Sequence, residues 1–159
     1  MSRSESAISF RELFAYTDYL ANLWLNFNRH QSALEIEVGD QTGTLSNLVK
    51  HIVQVEQFFA SRLLQQEPPQ DQLESPAAAD LLQRHQDASG KFDRYIKTSG
   101  DHGLNGTQML GARIVSNRKI LAQATLHSVH HWAQVAMAVR QAGFPAGKPQ
   151  DFILTDVME

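Results

Sequence analysis

The sequence predicts an all-α fold, a four-helix bundle with at least one long crossover connection. Three observations carry that prediction. Four stretches of roughly twenty residues repeat apolar side chains at helical spacing. No stretch shows the sustained alternation of a half-buried strand. Two connections, near residues 30–43 and 100–116, are longer than simple up-and-down hairpins require, so the path of the chain includes a crossover.

The first helix is predicted from about Ser9 to Arg29. Phe10, Leu13, Phe14, Thr17, Leu20, Ala21, Trp24 and Phe27 recur on one face, and Ser9 with Glu12 has the spacing of a capping box. The second runs from about Thr44 to Gln65 on the stripe Leu45, Leu48, Ile52, Val55, Phe59 and Leu63, and Pro68-Pro69 prevents its continuation. The third is predicted to begin with Ser75 as N-cap and Pro76 in the first helical position. Its inner face carries Leu81, Leu82, Ala88, Phe92 and Ile96, and Gly100 stands just past its end. Residues 100–116 hold four glycines and an Asn-Gly turn signal, and read as a loop with room for a short strand. The fourth helix is predicted from about Asn117 to Ala142, with Arg140 in its last turn, Gly143 as C′ and Pro145 beyond. The tail, 148–159, reads as irregular and packed across the bundle surface.

A chain of 159 residues is the usual size of one domain, and no break in composition divides residues 1–159. Apolar residues make up 42% and charged residues 19%, as in a soluble globular protein. The net charge is −3 with acids and bases interspersed, so the clustered Lys and Arg that neutralise phosphates are missing and nucleic acid is not an expected partner. No apolar run approaches the ~18 residues of a membrane span, and the N-terminal residues lack the apolar core of a signal peptide, which makes the cytoplasm the expected compartment. There is no cysteine, which removes disulfides, zinc–thiolate sites and a cysteine nucleophile together; any thiol in the chemistry must come from outside the chain.

Seven histidines are the main chemical feature. Three crowd into Leu126-His127-Ser128-Val129-His130-His131-Trp132, where His127 and His131 stand one helical turn apart. An i, i+4 histidine pair can close on one metal ion, whereas His130 is turned about 100° from His131 and cannot easily join it. The pair falls among Ile120, Ala124, Val135, Ala138 and Val139, on what reads as the core-facing stripe, where an imidazole needs a partner and a metal is one such partner. The plainer reading of such a pair is two hydrogen-bonded core or rim histidines. Ser128 stands where a zincin has its glutamate, so zincin-type proteolysis is not supported. His51 lies at the edge of the second stripe, a position that suits either a reach across a groove or exposure. Glu56 lies nearer that stripe than a free carboxylate should and needs a partner, for which a salt bridge or a cap is preferred over metal ligation. His85 lies inside the third stripe and reads as a satisfied core histidine, with a supplementary ligand or proton carrier as the alternative. His30 and His102 fall in predicted loops and read as solvated.

The run Leu126–Gln134, continuing to Arg140-Gln141-Ala142-Gly143, resembles the C-terminal signature of the DinB-like four-helix family, whose form is H-x-x-H-H-R-G-Q followed by a turn and a glycine. Leu48-Val49-Lys50-His51-Ile52-Val53-Gln54-Val55-Glu56 is similar to its second-helix motif, L-x-x-H-I-x-x-x-E. The resemblance spans nearly the whole chain in helix order and length. It implies a DinB/YfiT-like bundle and a metal triad of His51, His127 and His131. Trp132 and Ala133 replace the usual Arg-Gly, which puts any activity that depends on that arginine in doubt, while Gln134 is retained on the side of the pair. Three neutral imidazoles leave an ion its full double charge and open positions; zinc and nickel both suit them. Like the family's thiol-dependent transferases and isomerases, the chain is then expected to activate a thiol or water toward a small-molecule substrate, with a low-molecular-weight thiol as a candidate cofactor. A homodimer is left open. The alternative is a non-catalytic, stress-associated metal-binding protein.

Overall fold

A computed structural model of the chain describes residues 9–31, 33–38, 43–70 and 76–144, the side chains of 28–31 and 101–102 excepted. The expectations for His30, His102, a Ser75 cap, Pro145 and the 148–159 tail lie outside what it describes. Four long helices dominate: α1 (Phe10–Gln31), α2 (Leu45–Leu63), α3 (Ala78–Asn105) and α4 (Asn117–Gln141). A 3-10 turn at Ala33–Glu35 and two short antiparallel ribbons complete the described part, β1 (Glu37–Val38) with β2 (Gly43–Thr44) and β3 (Thr107–Leu110) with β4 (Arg113–Ser116). Each ribbon lies in a connection, so the fold is all-α. Among the described residues no helix is long and apolar enough to cross a membrane.

Local chemistry accounts for most of the helix ends. The Ser9–Glu12 capping box is formed: the Ser9 backbone N–H donates to Glu12 Oε2 at 2.6 Å, and the Glu12 N–H donates to Ser9 Oγ at 3.3 Å. Thr44 and Ser116 cap α2 and α4 with their hydroxyl oxygens. Gly143, at φ 81°, ends α4 as its left-handed C′ residue, with the Gly143 N–H donating to Arg140 O and the Phe144 N–H to Val139 O. The same motif ends α2 on a non-glycine, Gln65 at φ 56°.

Two boundaries differ from expectation. Helix α3 starts at Ala78, with Ala77 as N-cap and its N–H donating to Asp80 Oδ2 at 3.2 Å, so Pro76 precedes the helix instead of opening it. Gly100 breaks α3 as expected, at φ 52° and ψ −165°, but one more helical turn follows before the chain leaves at Gly106. The 107–116 loop is a regular hairpin. Its turn is Gly111-Ala112, with Gly111 at φ 60° and Met109 facing Ile114, a Gly-first two-residue turn; the Asn105-Gly106 signal marks the helix end instead.

Helices α1 and α2 each pack against both α3 and α4. The core forms two apolar clusters. One gathers Leu20, Trp24, Leu25, Leu45, Ile52, Leu81, Trp132 and Val135, and the other Phe14, Ala60, Leu63, Ala88, Phe92, Ile120 and Leu121. Between them every long helix contributes a buried polar side chain: Thr17, Glu56, His85 and Ser128. On α1 this polar position lies between Phe14 and Leu20, on α2 between Val53 and Ala60, on α3 between Leu81 and Ala88, and on α4 between Ala124 and Trp132. A polar layer therefore crosses the core.

Candidate metal centre

The register of two helices brings three imidazoles together. His51 comes from α2, and His127 and His131 from successive turns of α4. Their ring centroids are 4.9 Å (51–127), 5.1 Å (51–131) and 4.3 Å (127–131) apart. One nitrogen of each lies within 4.8 Å of the other two, and His51 Nε2 is 3.0 Å from His127 Nε2. Donors around a tetrahedral zinc at about 2.0–2.1 Å stand about 3.3–3.4 Å apart, so small side-chain rotations suffice to seat an ion.

The pair on α4 does not interrupt the core stripe, as its spacing alone suggested. His127 and His131 are half-buried; the other residues of the predicted stripe, Ile120, Ala124, Val135, Ala138 and Val139, are buried, and so are Leu121, Thr125, Ser128 and Trp132 to one side of it. The inward face of α4 is rotated slightly from the predicted one, which leaves the imidazoles on the rim between α4 and α2. His51 is exposed and reaches across the groove, so both readings of its edge position hold at once. This opens one side of the site to solvent.

Two features tune the rings. His131 Nδ1–H donates to Gln134 Oε1 at 2.6 Å, which fixes the tautomer and leaves Nε2 as a lone-pair donor. The Gln134 amide N–H in turn points to His130 Nε2 at 3.4 Å, so His130 touches the site through Gln134 and is not among the three converging ligands. Desolvation, followed by the neighbouring His131, His51 and His130, pulls His127 down to about 4; desolvation and His131 also lower His51. Lowered values keep lone pairs available near neutral pH, which is what a divalent ion requires.

Glu56 and His85 are paired with each other. His85 Nδ1–H donates to Glu56 Oε2 at 2.7 Å, and Ser128 Oγ–H donates to Glu56 Oε1 at 2.7 Å. On its far side His85 Nε2 lies 3.0 Å from Asp18 Oδ1, an ion pair set off the N–H axis, and Asp18 also accepts from Ser89 Oγ at 2.9 Å. Burial alone would lower His85, but Glu56 and Asp18 outweigh it and push it up to about 10. His85 is therefore an imidazolium held between carboxylates. The sequence pointed to Glu56 and His85 as needing partners; Asp18 and Ser128, the partners they find, were missed. The one signal in the sequence was an aspartate next to Thr17 on α1; Ser128 lay off the predicted stripe of α4 and gave none. Trp132, at the position of the family's arginine, is fully buried in the first apolar cluster, so position 132 offers the site no cation.

A helical scaffold carrying three convergent imidazoles on facing helices defines a protein suited to holding a divalent ion. The chain belongs to the DinB family, whose model matches residues 2–151. No curated protein matches the sequence.

Proposed function

We propose that the chain is a metal-dependent enzyme of the DinB family, in which His51, His127 and His131 hold zinc or nickel and the ion activates a thiol or water toward a small-molecule substrate. The supporting observation is the approach of one nitrogen from each histidine to within 4.8 Å of the others, on a donor set that suits zinc and nickel. A bound ion supplies Lewis acidity and lowers the pKa of water or thiol beside it. The protein's part is to fix the lone pairs: Gln134 orients His131, and half-burial keeps His127 neutral.

The exposure of His51 favours the catalytic reading over a closed structural ion, because an incoming ligand needs an open side. With no cysteine in the chain, a thiol nucleophile would be an external low-molecular-weight thiol, in an S-transferase or isomerase type of reaction. In the same reading, residues 1–159 are one DinB-like four-helix bundle. Because α1 and α2 both pack on α3 and α4, α1 sits across the bundle from α2, and α3 from α4, which calls for a crossover.

The test is direct. Zinc- and nickel-loaded protein is assayed with a panel of low-molecular-weight thiols against electrophiles, in parallel with the His127→Ala, His131→Ala double variant. Turnover that requires metal, thiol and the intact pair supports the proposal. Tight metal binding without turnover across the panel favours the non-catalytic alternative, and absence of metal binding ends both.

A further inference from the structure

The polar layer that divides the two apolar clusters lies beside the candidate metal centre. His51 and Glu56 are five residues apart on α2, about 7.5 Å along the axis. Ser128 directly follows His127 on α4. The two helices are thus bridged by the His51–His127 contact and, close by in the interior, by the Ser128–Glu56 hydrogen bond of 2.7 Å.

We propose that the Ser128–Glu56–His85 chain is the positioning device of the metal centre, fixing the rotation and spacing of α2 against α4 so that His51 meets the α4 pair. This inference rests on the metal-site reading. His51 is exposed, so close packing around its ring does not set its place, and its position depends on how α2 is turned. Apolar packing alone tolerates small rotations of one helix on another. A buried hydroxyl-to-carboxylate bond does not: Glu56 and Ser128 are 4% and 1% exposed, and a shift of α2 by one residue would strand the carboxylate without its donor. His85 holds the other oxygen of Glu56, and Asp18 with Ser89 holds His85, so the orientation is tied to α1 and α3 as well. Buried ion pairs add little net stability over a packed apolar core, and a better-attested use is the choice of one register. Glu56 and His85 are accordingly positioning residues, without contact to the ion.

The experiment uses the full chain. Zinc affinity is measured by chelator-competition titration for wild type, Ser128→Ala, Ser128→Thr and Glu56→Ala. In parallel, the metal-free proteins are examined by NMR for the ring-proton contact between His51 and His127, whose centroids are 4.9 Å apart. Ser128→Ala is expected to remain helical and cooperative, to bind zinc at least tenfold more weakly, and to lose intensity in the ring contact. Ser128→Thr, which keeps the hydroxyl, is expected to stay near wild type. Glu56→Ala should repeat the Ser128→Ala result where it folds. Wild-type zinc affinity and an unchanged ring contact in Ser128→Ala overturn the proposal, as does a Ser128→Thr loss equal to that of alanine, which would assign the effect to packing. If wild type binds neither zinc nor nickel, the metal reading fails, and the ring contact alone decides whether Ser128 positions the histidines.

Discussion

At the level of single residues, neighbouring positions on one helix have opposite fates. His131 converges with His51 and His127, while its neighbour His130, whose ring lies edge-on to that of His131 and which meets Gln134, is not among the three converging ligands. His131→Ala is therefore expected to abolish stoichiometric zinc by elemental analysis, and His130→Ala to weaken it by no more than a few-fold; equal losses would show that His130 is a ligand. The two strongly shifted histidines give opposite pH dependences. His127 is lowered from 6.5 to about 4, so in the metal-free protein its contribution to stability is complete above 6.5 and is lost as pH falls through about 4. His85 is raised from 6.5 to about 10, so its contribution is complete below 6.5 and is lost as pH rises through about 10. Denaturant unfolding of the apo protein should show a maximum near pH 6.5, with stability falling toward about 4 on the acid side and toward about 10 on the alkaline side. Nitrogen NMR should find both N–H protons on His85 at pH 8.5; a neutral His85 there would contradict the buried ion pair. Zinc occupancy should fall between about pH 6 and 4 as protons take the ligand lone pairs.

At the level of elements, α3 contains a matched pair of glycines in different conformations. Gly90 lies in regular helix, where an added Cβ meets nothing within 4 Å, whereas Gly100 sits at φ 52° and ψ −165° at the break. Gly90→Ala should stabilise the protein by about 0.5–1 kcal/mol through helix propensity and a stiffer unfolded chain. Gly100→Ala should cost about 1–3 kcal/mol, because an L side chain is strained there even with open space around it. Urea midpoints moving in the same direction for both would mean that the break in α3 is not held at Gly100. The sequence had placed a helix end at Gly100 correctly, but not the further turn, which Tyr95 and Asn117 secure by donating to the Gly103 carbonyl. Asn117 comes from α4 and the Tyr95 contact closes across the break at Gly100, so helical spacing within α3 could not reveal either.

At the level of the whole molecule, the candidate site spans two helices and so links ion binding to folding. A ligand that binds only the native state stabilises it by about 2.7 kcal/mol at a hundredfold excess over Kd. Zinc should therefore raise the melting temperature by several degrees, a chelator should reverse the rise, and the His127→Ala, His131→Ala double variant should show neither. A melting temperature indifferent to both zinc and nickel would remove the triad as a metal site. The polar layer adds a second whole-molecule feature, since its members Thr17, Glu56, His85 and Ser128 come one from each long helix.

By itself the sequence determined four helices, the Ser9–Glu12 cap and the Gly143 end, the His127–His131 pair and the family. Those features depend on interactions within a turn or two of one helix, and on motifs that need no knowledge of neighbours. The tertiary structure alone decided the azimuth of α4, which buries Trp132 and Ser128 and moves the histidine pair to the rim. It also decided that Glu56 and His85, 29 positions apart, pair with each other rather than with a metal, and that Ser128, 72 positions from Glu56, completes the chain. Periodicity finds the apolar face of a helix only to within a residue or so of rotation. A buried carboxylate, however, must find a donor at hydrogen-bonding distance, and which donor it meets depends on how four helices are turned against one another.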